Sequence, residues 1–400
     1  MVLAHVTARS AVTSLGAGCE ALERALRRTA CGLLPNDFDA SAGGGYIGRV
    51  DGIEEQLLPD GLARFDCRNH RLANAALGAD GFEQAVAGAC NRYGPDRVAV
   101  LVGTSTSGIL TTERAYRQRT PAGDLPPWFD YRHAHNYGAL PEFVRQRLGT
   151  TGPVQCLSTA CSSSAKVIAS AARWLSLGLC DAAVVGGVDS LCGTTLHGFR
   201  SLQVISDEPC RPFDASRSGV SLGEGAAFLL LERQPAKSSR EVPATSAALL
   251  GYGETADAWH MSAPDPQGAG VLGSMRAALE RSGLAAAQLD FTCAHGTATR
   301  ANDEIEASAI GSLFGRGAVT TSTKGSTGHT LGAAGALSAV VAVLAIERGF
   351  VPGTANTVAV DPACPVSVPL QTRVQPVRAV MVNALGFGGN NCSLVFGAAA

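Results

Sequence analysis

Three short loops in this sequence hold residue types capable of nucleophilic and acid–base work. In Ser158-Thr159-Ala160-Cys161-Ser162-Ser163-Ser164, a cysteine sits where small hydroxylated residues give way to the alanine-rich stretch AKVIASAARWL. A thiol at such a helix start faces the positive end of the macrodipole and unpaired N–H groups, which favours the thiolate. The N–H of Cys161 could also stabilise an oxyanion formed when the sulfur attacks a thioester carbonyl. The same residues equally suit a small buried cysteine in a tight turn, and the chain has 12 cysteines in all. His295, in AHGTAT, follows LDFTC and so falls at a strand end, where α/β proteins build sites, with Gly296 permitting a sharp exit; the alternative is a structural hydrogen-bonding histidine. Lys324 and His329, in KGSTGH, place charge in a stretch otherwise free of it, and such charge has either a partner or a role. The segment NALGFGGNN, 383–391, reads as a tight turn between two strands that leaves Phe387 exposed. GSTGHTLGAAG is not a phosphate loop, because its lysine precedes the glycines.

The elements that must position these loops follow from pattern and composition. Four hundred residues exceed one hydrophobic core, and 46% hydrophobic with 16% charged residues and 47 glycines suits closely packed α/β structure. Apolar runs at Val98 to Val102, Ala182 to Val188 and Ala226 to Leu231 alternate with helical stretches such as Val167 to Leu177. A polar, proline-bearing connector from Glu232 to Thr245 divides the chain near residue 242. Residues 157–178 and 321–349 are each a Ser/Thr-rich loop feeding an alanine-rich helix that stops at glycine, the pattern a duplicated half would leave. The net charge of -2 with dispersed basic residues shows no footprint for nucleic acid or an anionic membrane, and the low charge points to a buried subunit interface. The start lacks the features of a secretory signal and no run of about 18 apolar residues is evident, so a soluble cytoplasmic protein without membrane insertion is expected. No cysteine or histidine spacing suggests a disulfide framework or a metal site.

As an ordered set, Cys161 in STACSSS, His295 in AHGTAT, Lys324 and His329 in KGSTGH, and Phe387 in GFGGNN resemble the elongating β-ketoacyl-acyl-carrier-protein synthases. The resemblance extends to DEPCRPFDASRSGVSLGEGAAFLLLE at 207–232, a VGG turn at 185–187 and GTSTSG at 103–108, and covers the chain from about residue 90 onward. It implies a thiolase-like α/β fold of five layers, α-β-α-β-α, in two pseudo-repeated halves. The half 1–242 carries the cysteine, and the half 243–400 carries the histidines and the lysine. It further implies a homodimer, or a heterodimer with a related synthase-like subunit, and an acyl carrier protein as partner, whose phosphopantetheine arm bears the substrates in place of any bound cofactor. That partner would need a local basic patch.

By the same resemblance, Cys161 takes the acyl chain, His295 and His329 serve the malonyl group, and Lys324 orients and charges their surroundings. The N–H groups of Cys161 and Phe387 hold the oxyanion, and the hydroxyls of Thr297 and Thr299 hold the pantetheine amides. Asp303 and Glu306 either support Lys324 from behind or serve as helix caps and structural groups. Two residues depart from the family pattern: Lys166 stands where histidine is common, and Thr106, in a loop expected to approach the acyl tunnel, replaces a branched apolar residue. A polar tunnel suits an unsaturated or aryl-bearing chain, and STACSSSAK and VGGVDSL are similar to the branch that builds aryl polyenes. A thiolase would need a second catalytic cysteine, for which Cys392 lies too deep in the last strand, and a plant-type polyketide synthase would need a Cys-His-Asn set. A non-catalytic chain-length factor is the alternative of a different class, but such partners typically lose the nucleophile.

Overall fold

The apolar runs become strands in the computed structural model, which describes residues 3–233 and 247–399. The division near residue 242 lies outside the described residues, as does the connector beyond Arg233. In the first half, β1 (Ala4–Thr13), β2 (Val98–Gly103), β3 (Val154–Leu157), β4 (Ala182–Asp189) and β5 (Gly225–Arg233) are ordered β3-β2-β4-β5-β1. β3, β2 and β4 run parallel, while β5 is antiparallel to both of its neighbours. In the second half, β6 (Ala247–Ala256), β7 (Phe291–Cys293), β8 (Ala318–Thr321), β9 (Ala379–Gly386) and β10 (Asn390–Ala398) repeat that order and those senses as β8-β7-β9-β10-β6. The halves are topological copies, which gives the faint internal sequence similarity its meaning. They join where β1 pairs antiparallel with β6, Ala4 opposite Leu249 and His5 opposite Ala248.

Two helices occupy the space between the half-sheets: α1 (Ser163–Ser176), entered from β3, and α3 (Ala334–Arg348), entered from β8; α2 (Arg300–Phe314) lies outside, against the helix Ala269–Ser282. α1 and α3 pack on each other and touch strands of both halves. Helices Arg68–Leu77, Phe82–Tyr93 and Ala139–Leu148 cover the outer face of the first half, completing five layers. Parallel strands covered on both faces must be apolar throughout, and every residue of β2 and β4 is buried.

Small residues set the spacing of the central layer. A Cβ on Gly335 of α3 would stand 2.7 Å from the Ala165 nitrogen of α1, so the helices approach closely only because it is glycine. The same reason corrects the expected turn at 185–187. Val185, Gly186 and Gly187 lie inside β4, and a Cβ on Gly187 would meet Ser164 Cβ at 2.6 Å and Ala333 Cα at 2.8 Å. The glycines serve close packing across a strand rather than a reversal of the chain. One further expectation is overturned: Leu331–Arg348 is long and apolar enough to span a membrane, with a mean hydropathy of 1.6 over 18 residues. Small alanines and glycines disguise the run by eye. It is 89% buried within the protein and forms the central helix of the core.

Candidate active site

The ends of the two central helices bring the predicted residues together. β3 leads to a turn in which Ala160 adopts φ +51° and Cys161 follows, two residues before α1. A non-glycine residue in the left-handed region costs about 1–3 kcal/mol and persists only where its surroundings over-determine it. Here the Ala160 carbonyl accepts from Ser105 Oγ at 3.0 Å and from Ser163 Oγ at 2.6 Å, and Ser163 Oγ also accepts from the Thr159 N–H at 2.9 Å. His329 precedes α3 and is pinned by its backbone, its N–H donating to Ser221 O at 2.8 Å and its carbonyl accepting from Gly223 at 3.0 Å. Its Nε2 stands 3.0 Å from Cys161 Sγ. His295, just past β7, places its ring 5.2 Å from that of His329 at an interplanar angle of 86°.

Lys324 binds His295 twice. Its Nζ donates to the His295 carbonyl oxygen and lies 3.5 Å from His295 Nδ1. An ammonium has only protons to give, so Nδ1 is the acceptor and the ring proton of His295 sits on Nε2. Glu306 does not bond Lys324. Its carboxylate, fully buried on α2, accepts the N–H groups of His295 and Gly296, each at 2.8 Å, and an Asn383 amide proton at 3.1 Å. Asp303 likewise takes the Phe213 and Ala298 N–H groups at 2.8 and 3.2 Å. Both carboxylates fix the backbone of the histidine loop, and Glu306 also acts through space to favour the charged form of Lys324, so the two roles open to them coexist at Glu306.

Burial decides the electrostatics. The Cys161 thiol is pushed up to about 12 by burial, against the pull of Lys324; Asp189 pushes it further up, and the backbone N–H groups of Phe387 and Cys161 oppose the rise. Cys161 lies two residues before α1 and is enclosed, so burial works against the thiolate that the helix start would favour. His295 and His329 are both held well below the ordinary imidazole value, chiefly by burial and then by Lys324, whose own value burial lowers. The resting site is a neutral thiol beside neutral imidazoles, with charge kept behind them. Cys161, His295 and His329 offer ligand atoms within 4.8 Å of one another, but the ammonium of Lys324 beside them opposes a resident divalent cation.

These side chains open on a cavity of about 280 Å³ whose wall includes Thr297, Thr299 and Phe387. The two threonine hydroxyls bond each other at 2.9 Å. Phe387 sits in the β9–β10 turn but is not exposed as the turn alone suggests, since it stacks on Phe199 with centroids 5.3 Å apart. Two residues fall elsewhere. Thr106 turns its hydroxyl to Asp189 at 2.7 Å and does not line the cavity, and Lys166 reaches Asn390 Oδ1 at 3.3 Å. A larger groove of about 510 Å³, lined by Arg64, Arg71, Arg114 and Trp128, shares no lining residue with this cavity. Sequence reasoning missed Asp189, Asn383 and Phe199; of these only Asp189, a lone charge ending an apolar strand, carried a readable signal.

Comparison with known proteins agrees with this geometry. Residues 71–236 match the β-ketoacyl synthase N-terminal domain and residues 246–358 the β-ketoacyl synthase C-terminal domain. Nodulation protein E of Rhizobium meliloti is 38% identical over 312 residues, 77% of each chain. The 3-oxoacyl-[acyl-carrier-protein] synthase 2 of Coxiella burnetii is 35% identical over 319 residues, 76% of each chain. A solved ketosynthase, in complex with its chain length factor, from Xenorhabdus doucetiae superposes with a TM-score of 0.87 at 34% identity, over 100% of this chain and 98% of that one. The five-layer fold is thus the thiolase-like one of ketosynthases, and the nucleophile and both histidines stand in contact, as a non-catalytic chain-length factor would not need. The chain belongs to the β-ketoacyl synthase family, as a condensing 3-oxoacyl-acyl-carrier-protein synthase.

Proposed function

We propose that Cys161 carries the growing acyl chain, that His295 and His329 serve decarboxylation and condensation, and that the enzyme works on carrier-bound chains beside a chain-length-factor-like subunit. The observation that carries the residue roles is the 3.0 Å contact between His329 Nε2 and Cys161 Sγ. In acylation the sulfur attacks the thioester carbon of an acyl-carrier protein, and its proton passes through His329 Nε2 to the departing pantetheine sulfur. The oxyanion is held by the N–H groups of Cys161 and Phe387, both of which approach the Cys161 sulfur. With Cys161 acylated the S–H is gone, and exchange of the His329 ring proton from Nδ1, which is buried without a hydrogen-bond partner among the described residues, to Nε2 lets that nitrogen donate into the cavity. Malonyl-carrier protein then binds, its pantetheine amides on Thr297 and Thr299.

Loss of carbon dioxide leaves an enolate oxygen, to which His295 donates from Nε2 together with His329. The enolate carbon bonds to the Cys161 thioester carbon and the carbon–sulfur bond breaks. The one proton consumed reaches the departing sulfur through His329.

The heterodimer reading is supported by likeness to a ketosynthase solved with its chain length factor, and to the ishigamide ketosynthase/chain length factor at 29% identity and a TM-score of 0.90. The finer placing, in the branch that extends aryl-primed or polyenoyl chains, is supported by STACSSSAK and VGGVDSL. Thr106 no longer supports it, its hydroxyl being committed to Asp189. The test offers the purified enzyme saturated, 2-enoyl, polyenoyl and aryl-primed acyl-carrier proteins with malonyl-carrier protein, with and without a synthase-like partner. Preferential extension of the unsaturated or aryl chains in the partner's presence supports the assignment. Equal extension of saturated long chains by the lone subunit points back to ordinary fatty acid elongation.

A further inference from the structure

We propose that Asp189 is a positioning residue that keeps the Cys161 turn and the His329 loop in register, so that the sulfur–imidazole contact depends on a carboxylate that touches neither partner. The inference rests on the assignment of Cys161 and His329 above. Asp189 ends β4 and is fully buried, and among the described residues no cation forms an ion pair with it. Burial pushes its carboxyl above the ordinary value, and neutral donors from two separate loops oppose that rise. Oδ1 accepts the hydroxyls of Thr104 and Thr106, each at 2.7 Å, and the N–H groups of Thr106 at 2.8 Å and Ser105 at 2.9 Å. Oδ2 accepts the Gly332 N–H at 2.5 Å and shares the Ser105 N–H at 2.9 Å.

Each loop leads straight to a reacting group. Ser105 Oγ donates to the carbonyl of Ala160, the residue before Cys161, and Gly332 lies three residues past His329. Both approaches pass through a non-glycine residue of positive φ, Ala160 at +51° and Leu331 at +51°. Backbone of that kind relaxes when its surroundings stop enforcing it. The junction has no slack: a Cβ on Gly332 would stand 2.6 Å from Asp189 Oδ2 and 2.7 Å from Ser105 Oγ. An asparagine here would present an amide NH2 to at least one of the N–H donors the carboxylate now accepts, so one loop must let go. The same carboxylate opposes ionisation of Cys161 through space, which supplies a readout that scaffolding alone would not give.

The experiment compares wild type, Asp189→Asn and Cys161→Ala as full chains, measuring the thermal midpoint, the condensation rate and the pH profile of iodoacetamide alkylation at Cys161. Folded D189N is expected to lose at least tenfold in condensation while its alkylation profile moves to lower pH. Condensation within twofold of wild type overturns the proposal, as does a loss of activity with the alkylation profile unmoved. If D189N does not fold, Ser105→Ala decides. S105A keeps the carboxylate but cuts the link to Ala160, and should slow acyl transfer at least threefold; a wild-type rate overturns the proposal. Cys161→Ala separates the two levels of inference, because an enzyme that still condenses without that sulfur refutes the assignment of the site, whatever D189N does.

Discussion

Iodoacetamide should find Cys161 a poor nucleophile at neutral pH, despite its place in the mechanism. A free thiol ionises near 9.0, whereas burial takes Cys161 to about 12. At pH 8 the thiolate fraction therefore falls from roughly one in ten to roughly one in ten thousand, a differential of about 4 kcal/mol between the two protonation states. Peptide-resolved mass spectrometry of the alkylated enzyme, with glutathione as the accessible reference, should give a Cys161 rate about a thousandfold lower at pH 8. The logarithm of that rate should rise with unit slope from pH 7 to pH 10. Lys324 exerts the largest pull toward the thiolate, so Lys324→Met, apolar and of similar length, should slow alkylation further, by a factor on the order of ten. A plateau below pH 8, or a K324M enzyme alkylated faster than wild type, would refute the view that burial, and not the helix start, governs this sulfur.

Three further outcomes are expected. His295→Ala should abolish condensation in a malonyl-carrier assay yet leave measurable acylation of Cys161, whose near partner is His329; condensation at the wild-type rate would remove His295 from the mechanism. His70 is fully buried, stacks on Phe143 and is held down to about 4 by burial, so the native state resists its protonation. The stability this gives is complete above the unfolded value of 6.5 and is lost as pH falls toward 4; denaturant titrations should show a loss of about 3 kcal/mol over that window, with a smaller loss in His70→Asn. Gly335→Ala drives a methyl to 2.7 Å from the Ala165 nitrogen, and should lower the unfolding free energy by about 1–3 kcal/mol and slow acyl transfer, because α1 carries the cysteine turn.

Much of the site was legible in the residues because the chemistry concentrates in short loops whose types are unusual for their surroundings. Cys161, His295, Lys324 and His329 come from loops separated by more than a hundred residues at the widest, and the fold brings all four together. The supports were harder to read because they act through space. Nothing local to Glu306 says that its carboxylate will take the backbone N–H groups of a loop ten residues upstream, and nothing local to Thr106 says that its hydroxyl will turn to Asp189 rather than toward an acyl chain. The glycines of β4 misled for a related reason. A pair of glycines signals a turn when only the chain is considered, but these are demanded by the neighbouring layer, visible only once Ser164 and Ala333 are in place. The membrane-like length of the last central helix failed similarly, since what covers it is the rest of the fold.

The repeated strand order of the two halves carries a last consequence. Cys161 and His329 occupy corresponding loops, each leaving its own half-sheet to enter its own central helix. The reacting pair thus sits where the pseudo-symmetry brings like against like, and the chemistry needs unlike residues there: one loop gives an acyl carrier, the other the imidazole that manages its proton. A chain built from two perfectly matched halves would place two cysteines or two histidines face to face and could do neither task. Catalysis here begins where the resemblance between the halves is broken.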